Sequence, residues 1–175
     1  MPARIDSARH SGRSYIVTGA GSGIGAATCR RLAAEGATIT AADVRGALAA
    51  EVVAQIQEGG GRAIAVACDV AVEADVTAMI GAAVEAFGPP DGLFANAGTA
   101  GSGWIHETSL EDWNRVLDVN LTGAFLCAKH VLPHFLAKGG GVFVSTGSIA
   151  SVIIGGGGSA ARYADSKGAL LHLTR

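Results

Sequence analysis

The chain has 175 residues, of which 49% are hydrophobic, and its 13 basic and 15 acidic residues give a formal net charge of −2. This length and apolar content suffice for one well-buried core and exclude a largely disordered chain. The near balance of charge excludes the basic footprint of a protein that binds nucleic acid or an anionic membrane. A small-molecule partner is therefore expected.

The N-terminal stretch "MPARIDSARHSGR" lacks the apolar centre of a signal peptide, and no run is long and apolar enough for a transmembrane helix. These features predict a flexible leader over residues 1–13 and a cytoplasmic protein. Cys29, Cys68 and Cys127 are odd in number and scattered. This spacing favours reduced, buried thiols over disulfides or a zinc site.

Apolar runs alternate with helix-like segments along the chain. The runs are "SYIVTG", "ATITAAD", "AIAVACDV", "DGLFANAG" and "GVFVSTGS", and the helical segments lie near residues 23–36, 46–58, 73–87 and 109–138. The runs are apolar throughout, which is typical of strands buried on both faces. The alternation predicts an α/β fold with a doubly wound parallel sheet, Rossmann-like and three-layered.

The last segment, "YADSKGALLHLTR", has the composition of a helix but is followed by no element on which its apolar face could pack. We therefore expect a single nucleotide-binding domain over residues 14–175 that is incomplete at its C-terminus, with the last strands of the sheet missing.

The stretch "TGAGSGIG" lies where the first strand gives way to the first helix. Free backbone N–H groups and the positive end of the helix dipole attract a phosphate there. Gly19 permits a sharp turn, Gly23 lets a pyrophosphate approach the backbone, and Gly25 lets the helix press on the strand. The residues expected to lie closest to a dinucleotide are Gly19, Ser22, Gly23 and Ile24. Because 26 of the residues are glycine, the pattern alone also fits a plain turn.

Asp43 ends the second predicted strand, eighteen residues after Gly25. A carboxylate there can accept hydrogen bonds from the adenosine ribose hydroxyls and repels a 2′-phosphate, which favours NAD over NADP. Arg45 is the opposing signal, because its guanidinium could bind that phosphate. Asp43 could also be a turn residue or a helix N-cap.

Two further loops follow predicted strands, at the sheet edge where ligands of such folds bind. Asp69, with Val70 beside it, could contact the adenine, and the "NAG" of Asn96 to Gly98 lets the backbone pass close to the ribose. Each loop taken alone is equally an ordinary turn.

Tyr163 and Lys167 are four residues apart in a helix-forming segment, so both lie on one helical face. A nearby cation favours the phenolate and brings the pKa of a tyrosine down toward working pH. Tyr163 is therefore a candidate general acid/base for an alcohol or ketone. An ordinary amphipathic contact is the alternative for this pair.

The motifs "TGAGSGIG", "NAG", "DVNLTG" and "YADSK" occur in an order that resembles the short-chain dehydrogenase/reductase family over residues 14–175. The resemblance implies hydride transfer between NAD(H) and a secondary alcohol or ketone, with Tyr163 as proton donor or acceptor. It implies that Lys167 binds the nicotinamide ribose and lowers the pKa of the phenol. It also implies that Asn120 holds a water that links Lys167 to solvent; a buried amide bonded to backbone is the alternative for Asn120.

The family's substrate-binding serine should follow the fifth strand, and Ser148 in "VFVSTGSIAS" aligns best with it. Ser145, Thr146 and Ser151 are the neighbouring alternatives. The stretch "GGGGSAAR" then makes the distance to Tyr163 slightly longer than is usual in the family, and its glycine content indicates a mobile or specialised loop.

Two other functions stay open: an NADP-dependent 3-oxoacyl thioester reductase of the same family, which Asp43 disfavours, and a nucleotide-binding fragment without catalysis. His130 and His134 have helical spacing, but Pro133 lies between them and no metal-binding pattern follows, so no metal site is predicted. The resemblance implies a homo-oligomer, a dimer or a tetramer, built on the helix that holds Asn120 and the helix that begins at Tyr163.

Overall fold

The computed structural model describes residues 8–101, 103–153 and 161–174. Its strands are β1 Ser14–Thr18, β2 Thr38–Asp43, β3 Arg62–Ala67, β4 Gly92–Ala95 and β5 Val142–Ser145. They pair in parallel as one sheet in the order β3-β2-β1-β4-β5. The chain order reverses between β1 and β4, which creates the switch point where ligands bind in open α/β sheets. The predicted doubly wound parallel sheet is confirmed.

The helices are α1 Gly23–Ala34, α2 Gly46–Glu58, α3 Glu73–Phe87, α4 Leu110–Leu117, α5 Gly123–Lys138 and α6 Ala161–Leu173. Short 3-10 turns lie at Ile105–Glu107 and Ile149–Ser151. The prediction of one continuous helix over residues 109–138 is wrong at its centre. A π-helical turn at Asp118–Thr122 separates α4 from α5, and it contains Asn120. π turns are frequent at functional sites.

The core lies on both faces of the sheet. Adjacent β1 residues Ile16 and Val17 are fully buried and belong to different apolar clusters, because successive strand side chains point to opposite faces. The cluster with Val17 includes residues of α1 and α2, and the cluster with Ile16 includes residues of α3 and α5. This three-layer packing buries the central strands β1, β2 and β4 on both faces, whereas the edge strands β3 and β5 keep exposed residues.

Residues 8–13 differ from the flexible leader that the sequence predicts for them. They form turns. The carboxylate of Glu35 is buried and pairs with Arg9 and with Arg31, whose hydrogen bond is the largest cause of the lowered pKa of Glu35. Arg13 pairs with buried Asp91 at 2.9 Å. These ion pairs attach this part of the chain to the domain, while residues 1–7 lie outside the described residues.

Cys29, Cys68 and Cys127 all lie within the described ranges and are buried, unpaired thiols, as expected. Burial raises the pKa of each thiol to about 12. No helix in the part of the chain that the structure describes is long and apolar enough to cross a bilayer.

The hydroxyl of Thr40 offers a test of this packing. Thr40 is fully buried in β2, and its Oγ1 has no hydrogen-bond partner among the described residues. An unpaired buried hydroxyl destabilises the folded state, so Thr40→Val should raise the free energy of unfolding by about 1 kcal/mol in urea denaturation. Thr38→Val is the matched control, because Thr38 Oγ1 donates to the carbonyl of Arg13 at 3.3 Å. A larger loss of stability in Thr40→Val than in Thr38→Val would contradict this account.

Candidate active site

A cleft of about 810 Å³ opens at the carboxyl edge of the sheet. Most of the residues selected from the sequence line it: Gly19, Ser22, Gly23, Ile24, Asp43, Arg45, Asp69, Val70, Asn96, Gly98, Thr146, Tyr163 and Lys167. The lining residues that the sequence did not select for the site are Val44, Cys68, Ala97, Thr99, Ala100, Gly101 and Val119. Most of these residues are next to a selected residue in the chain. Their position after a predicted strand is the sequence signal that could have found them.

The glycine loop is shaped by close backbone contacts. Gly19 has a φ of +63°, which favours glycine, and a Cβ placed on it would lie 2.9 Å from the Cα of Ala97. A Cβ on Gly25 would lie only 2.2 Å from the carbonyl oxygen of Gly19. The first turn of α1 therefore presses directly on the loop. Gly23 has a φ of +52°, and a Cβ there would meet no heavy atom of the described residues within 4 Å.

Helix α1 begins at the cleft. Ser22 is its N-cap, with extended backbone and no side-chain capping hydrogen bond, and Ile24 is 62% exposed. The first N–H groups of a helix have no partner within the helix and carry the positive end of its dipole. Ser22 and Gly23 thus offer a hydroxyl and backbone donors where an anion can approach closely.

Asp43 is held rigidly in the wall of the cleft. Its Oδ2 accepts the N–H of Gly21 and its Oδ1 accepts the N–H of Arg45, both at 2.9 Å. The Nε of Arg45 lies 3.8 Å from the same Oδ1. Asp43 is the last residue of β2, and its side chain bonds across the turn that follows; the N-cap of α2 is Arg45. Each carboxylate oxygen keeps a further lone pair for a ligand hydroxyl.

The loop after β3 is a turn built around Asp69. The Oδ1 of Asp69 accepts the N–H of Ala71 at 3.0 Å, and the N–H of Asp69 donates to Asp75 at 3.0 Å. Val70 is buried, and a Cβ on Gly123 would lie 2.7 Å from its Cγ2. Asp69 and Val70 thus line the cleft and also make contacts that stabilise the fold.

The side chain of Asn96 is used within the protein. Its Nδ2 donates to the carbonyls of Thr18 at 3.1 Å and Gly19 at 3.3 Å, and its Oδ1 accepts the hydroxyl of Thr146 at 3.0 Å. Asn96 therefore joins the chain segments that follow β1, β4 and β5. Gly98, two residues further, lines the cleft.

Asn120 is buried, and protein groups satisfy its side-chain amide. The Oδ1 accepts the N–H of Thr99 at 2.7 Å, and the Nδ2 donates to the Thr99 carbonyl and to Ser166 Oγ, each at 3.0 Å. The interpretation of a buried amide bonded to backbone describes this side chain. The water-holding role implied by the family resemblance stays a prediction.

Tyr163 and Lys167 lie in α6 and both line the cleft. The Nζ of Lys167 lies 5.9 Å from the centre of the Tyr163 ring and donates to the carbonyl of Thr146 at 2.8 Å. Burial lowers the pKa of Lys167, because loss of water disfavours its charged form.

The candidate hydroxyls after β5 differ in how their protons are used. Thr146 donates to Asn96, and Ser151 donates to the carbonyl of Lys167 at 3.0 Å. Ser148 Oγ accepts the N–H of Ala150 at 3.1 Å, and its own proton has no acceptor among the described residues. Ser148 does not line the cleft in this structure. Residues 154–160, which include most of the glycine-rich stretch, lie outside the described residues.

An open parallel sheet with a glycine loop at its switch point and a Tyr–Lys helix at the same edge defines a Rossmann-like α/β domain. A family model described as short chain dehydrogenase matches residues 13–175. The chain belongs to this family.

Relatives of this chain are named as dehydrogenases. It is 39% identical over 167 residues to meso-2,3-butanediol dehydrogenase of Serratia marcescens, covering 95% of this chain and 64% of that protein. It is 38% identical over 151 residues to cyclohexanol dehydrogenase of Acinetobacter sp. strain SE19, covering 86% of this chain and 60% of that protein. The chain thus spans less than two thirds of the length of either relative.

Solved structures agree with this family. A short chain dehydrogenase/reductase from Burkholderia phymatum in complex with NAD has a TM-score of 0.90 and 34% identity, covering 94% of this chain and 58% of that one. An NAD⁺-bound xylitol dehydrogenase has a TM-score of 0.89 and 37% identity, covering 95% of this chain and 64% of that one.

The contact between Gly25 and Gly19 yields a second test. Gly25→Ala places a methyl group against the Gly19 carbonyl, so the free energy of unfolding should fall by roughly 1–3 kcal/mol. Gly81→Ala is the matched control, because a Cβ at Gly81 in α3 meets no described atom within 4 Å. That control should gain about 0.5–1 kcal/mol from helix propensity. Equal stability of the two variants in chemical denaturation would refute the proposed contact.

Proposed function

We propose that the chain forms the cofactor-binding and proton-transfer part of an NAD-dependent oxidoreductase that acts on a secondary alcohol or ketone. The observation that carries this proposal is the convergence, in one cleft, of the glycine loop, Asp43 and the Tyr163–Lys167 pair. Family membership and relatives named for diol and cyclohexanol dehydrogenation support it.

The residues of the cleft fit a dinucleotide. The open space over Gly23 and the Ser22 hydroxyl suit a pyrophosphate, and the fixed carboxylate of Asp43 suits the hydroxyls of the adenosine ribose. Asp69, Val70 and Ile24 would flank the nucleotide, and the backbone at Asn96 and Gly98 would pass beside it. Bound NAD would supply the carbon that takes or gives the hydride.

The charges at the end of β2 favour NAD over NADP. The carboxylate of Asp43 repels a 2′-phosphate. The Nε of Arg45 lies 3.8 Å from that carboxylate. The carboxylate therefore partly neutralises the positive charge that Arg45 could offer to a phosphate. The NAD in the two similar solved structures agrees with this choice. The thioester reductase alternative, which requires NADP, is correspondingly disfavoured.

For proton transfer we assign Tyr163 as the general acid/base. Lys167 keeps two further N–H donors beyond its bond to Thr146, and these would bind the nicotinamide ribose hydroxyls. Ser148, with its proton available, would donate to the substrate oxygen and stabilise charge that develops there. Asn120 would fix the loop at Thr99 beside this group.

A second copy of the chain is the proposed partner. Helix α5 exposes Phe125, Leu132 and Leu136 at helical spacing, which forms an apolar stripe suited to a homodimer or homotetramer.

A cytoplasmic location stays a prediction from the sequence. The second candidate function is nucleotide binding without turnover, because the glycine loop and Asp43 line the cleft whereas Ser148 does not.

The role of Tyr163 can be tested with NAD⁺ and a panel of secondary alcohols. Tyr163→Phe should keep NADH affinity, because the ring stays in place, but lose turnover, because the proton donor is gone. Tyr15→Phe is the matched control, since the one hydrogen bond of the Tyr15 hydroxyl within the described chain is to Nδ1 of His10, at 2.9 Å. Activity of Tyr163→Phe above about a tenth of the parent would refute the assignment. A parent chain that binds NADH without turnover would favour the second candidate.

Cofactor choice can be tested by titrating NADH and NADPH against intrinsic fluorescence. The parent should bind NADH more tightly than NADPH. Asp43→Asn should lower the ratio of the NADPH to the NADH dissociation constant by roughly tenfold, because the charge that opposes the 2′-phosphate is removed. Asp165→Asn, an exposed position on α6, should leave both affinities unchanged. Tighter binding of NADPH by the parent would overturn the choice of NAD.

A further inference from the structure

A continuous series of hydrogen bonds connects the glycine loop with Lys167. The Lys167 Nζ donates to the Thr146 carbonyl at 2.8 Å, and the Thr146 hydroxyl donates to Asn96 Oδ1 at 3.0 Å. The Asn96 Nδ2 then donates to the carbonyls of Gly19 at 3.3 Å and Thr18 at 3.1 Å. Asn96 and Thr146 are therefore the two residues through which the cofactor loop and the lysine are joined.

Chemistry fixes the direction of each bond in this series. Backbone carbonyls only accept, so the side of Asn96 that faces Thr18 and Gly19 must be its NH₂ group. Its oxygen therefore faces Thr146, and the Thr146 hydroxyl must donate. This proton is then committed, which removes Thr146 from the candidate donors to a substrate oxygen.

The backbone of Thr146 is anchored as well as its side chain. Its N–H donates to the carbonyl of Ala95 at 3.1 Å, which extends the pairing of β4 with β5 by one residue. The Lys167 side chain is buried, and its ammonium loses hydration that the Thr146 carbonyl partly replaces. The position of that carbonyl therefore determines where the ammonium lies in the cleft.

We propose that Thr146 is a positioning residue: through Asn96 it sets the location of Lys167 relative to the dinucleotide loop at Gly19. The expected effect on NAD binding rests on the proposed function. The series of hydrogen bonds itself involves only residues of this chain. Thr146 acts through Lys167 and Asn96 and does not contact the reacting atoms.

The test compares Thr146→Val with Thr146→Ser. Valine keeps the size of the side chain but leaves Asn96 Oδ1 without its donor, whereas serine retains the hydroxyl. Thr40→Val is the control for the same substitution at a buried position of the sheet whose hydroxyl has no described partner. The first readout is the rate of reductive methylation of Lys167, followed by peptide mass spectrometry without NADH. The second is NADH affinity by fluorescence.

Thr146→Val should raise the methylation rate of Lys167 and weaken NADH binding, each by roughly three- to tenfold, the effect of losing one hydrogen bond. Thr146→Ser and Thr40→Val should stay within about twofold of the parent in both readouts. An unchanged methylation rate in Thr146→Val, or a similar rise in Thr40→Val, would overturn the proposal. If the parent fails to bind NADH, the proposed function is contradicted, and the methylation rates alone then decide whether the link exists.

Discussion

The approach of α1 to the carbonyl of Gly19 is the contact on which the site depends. Any side chain at Gly25 would overlap that oxygen, so the helix can begin against the end of β1 only where the chain has no Cβ. This contact places Ser22 and Gly23 at the edge of the sheet. It also brings the Gly19 carbonyl within reach of Asn96, which connects the loop with the strands beside it.

Local patterns were sufficient to predict the fold and most of the cleft. The apolar runs matched all five strands. In β1, β2 and β4 burial on both faces produces such runs, whereas the edge strands β3 and β5 keep exposed residues. Asp43 and the Tyr163–Lys167 pair were found because strand ends and helical spacing bring chemically distinct side chains to one edge. The π turn was missed, because helical periodicity continues through Asp118–Thr122 without a break in the sequence.

The remaining differences depend on contacts between residues distant in the chain. Glu35 looks like a surface residue in the sequence, yet it is buried beneath Arg9 and Arg31 and attaches part of the predicted leader. The sequence favoured Ser148 by its alignment and kept Thr146 as a neighbouring alternative. The Thr146 hydroxyl donates to Asn96, fifty residues away in the chain, whereas Ser148 Oγ accepts from Ala150, and sequence alone does not show this difference.

The three buried thiols make the folded chain resistant to thiol chemistry. Burial raises the pKa of each thiol to about 12 and so disfavours the thiolate, which is the reactive form. Unfolding exposes all three to water and restores ordinary acidity. The rate of alkylation therefore measures how often the domain opens. Cys68 also lines the cleft, so local opening there would add to its alkylation rate, and a ligand bound in the cleft should remove that added part.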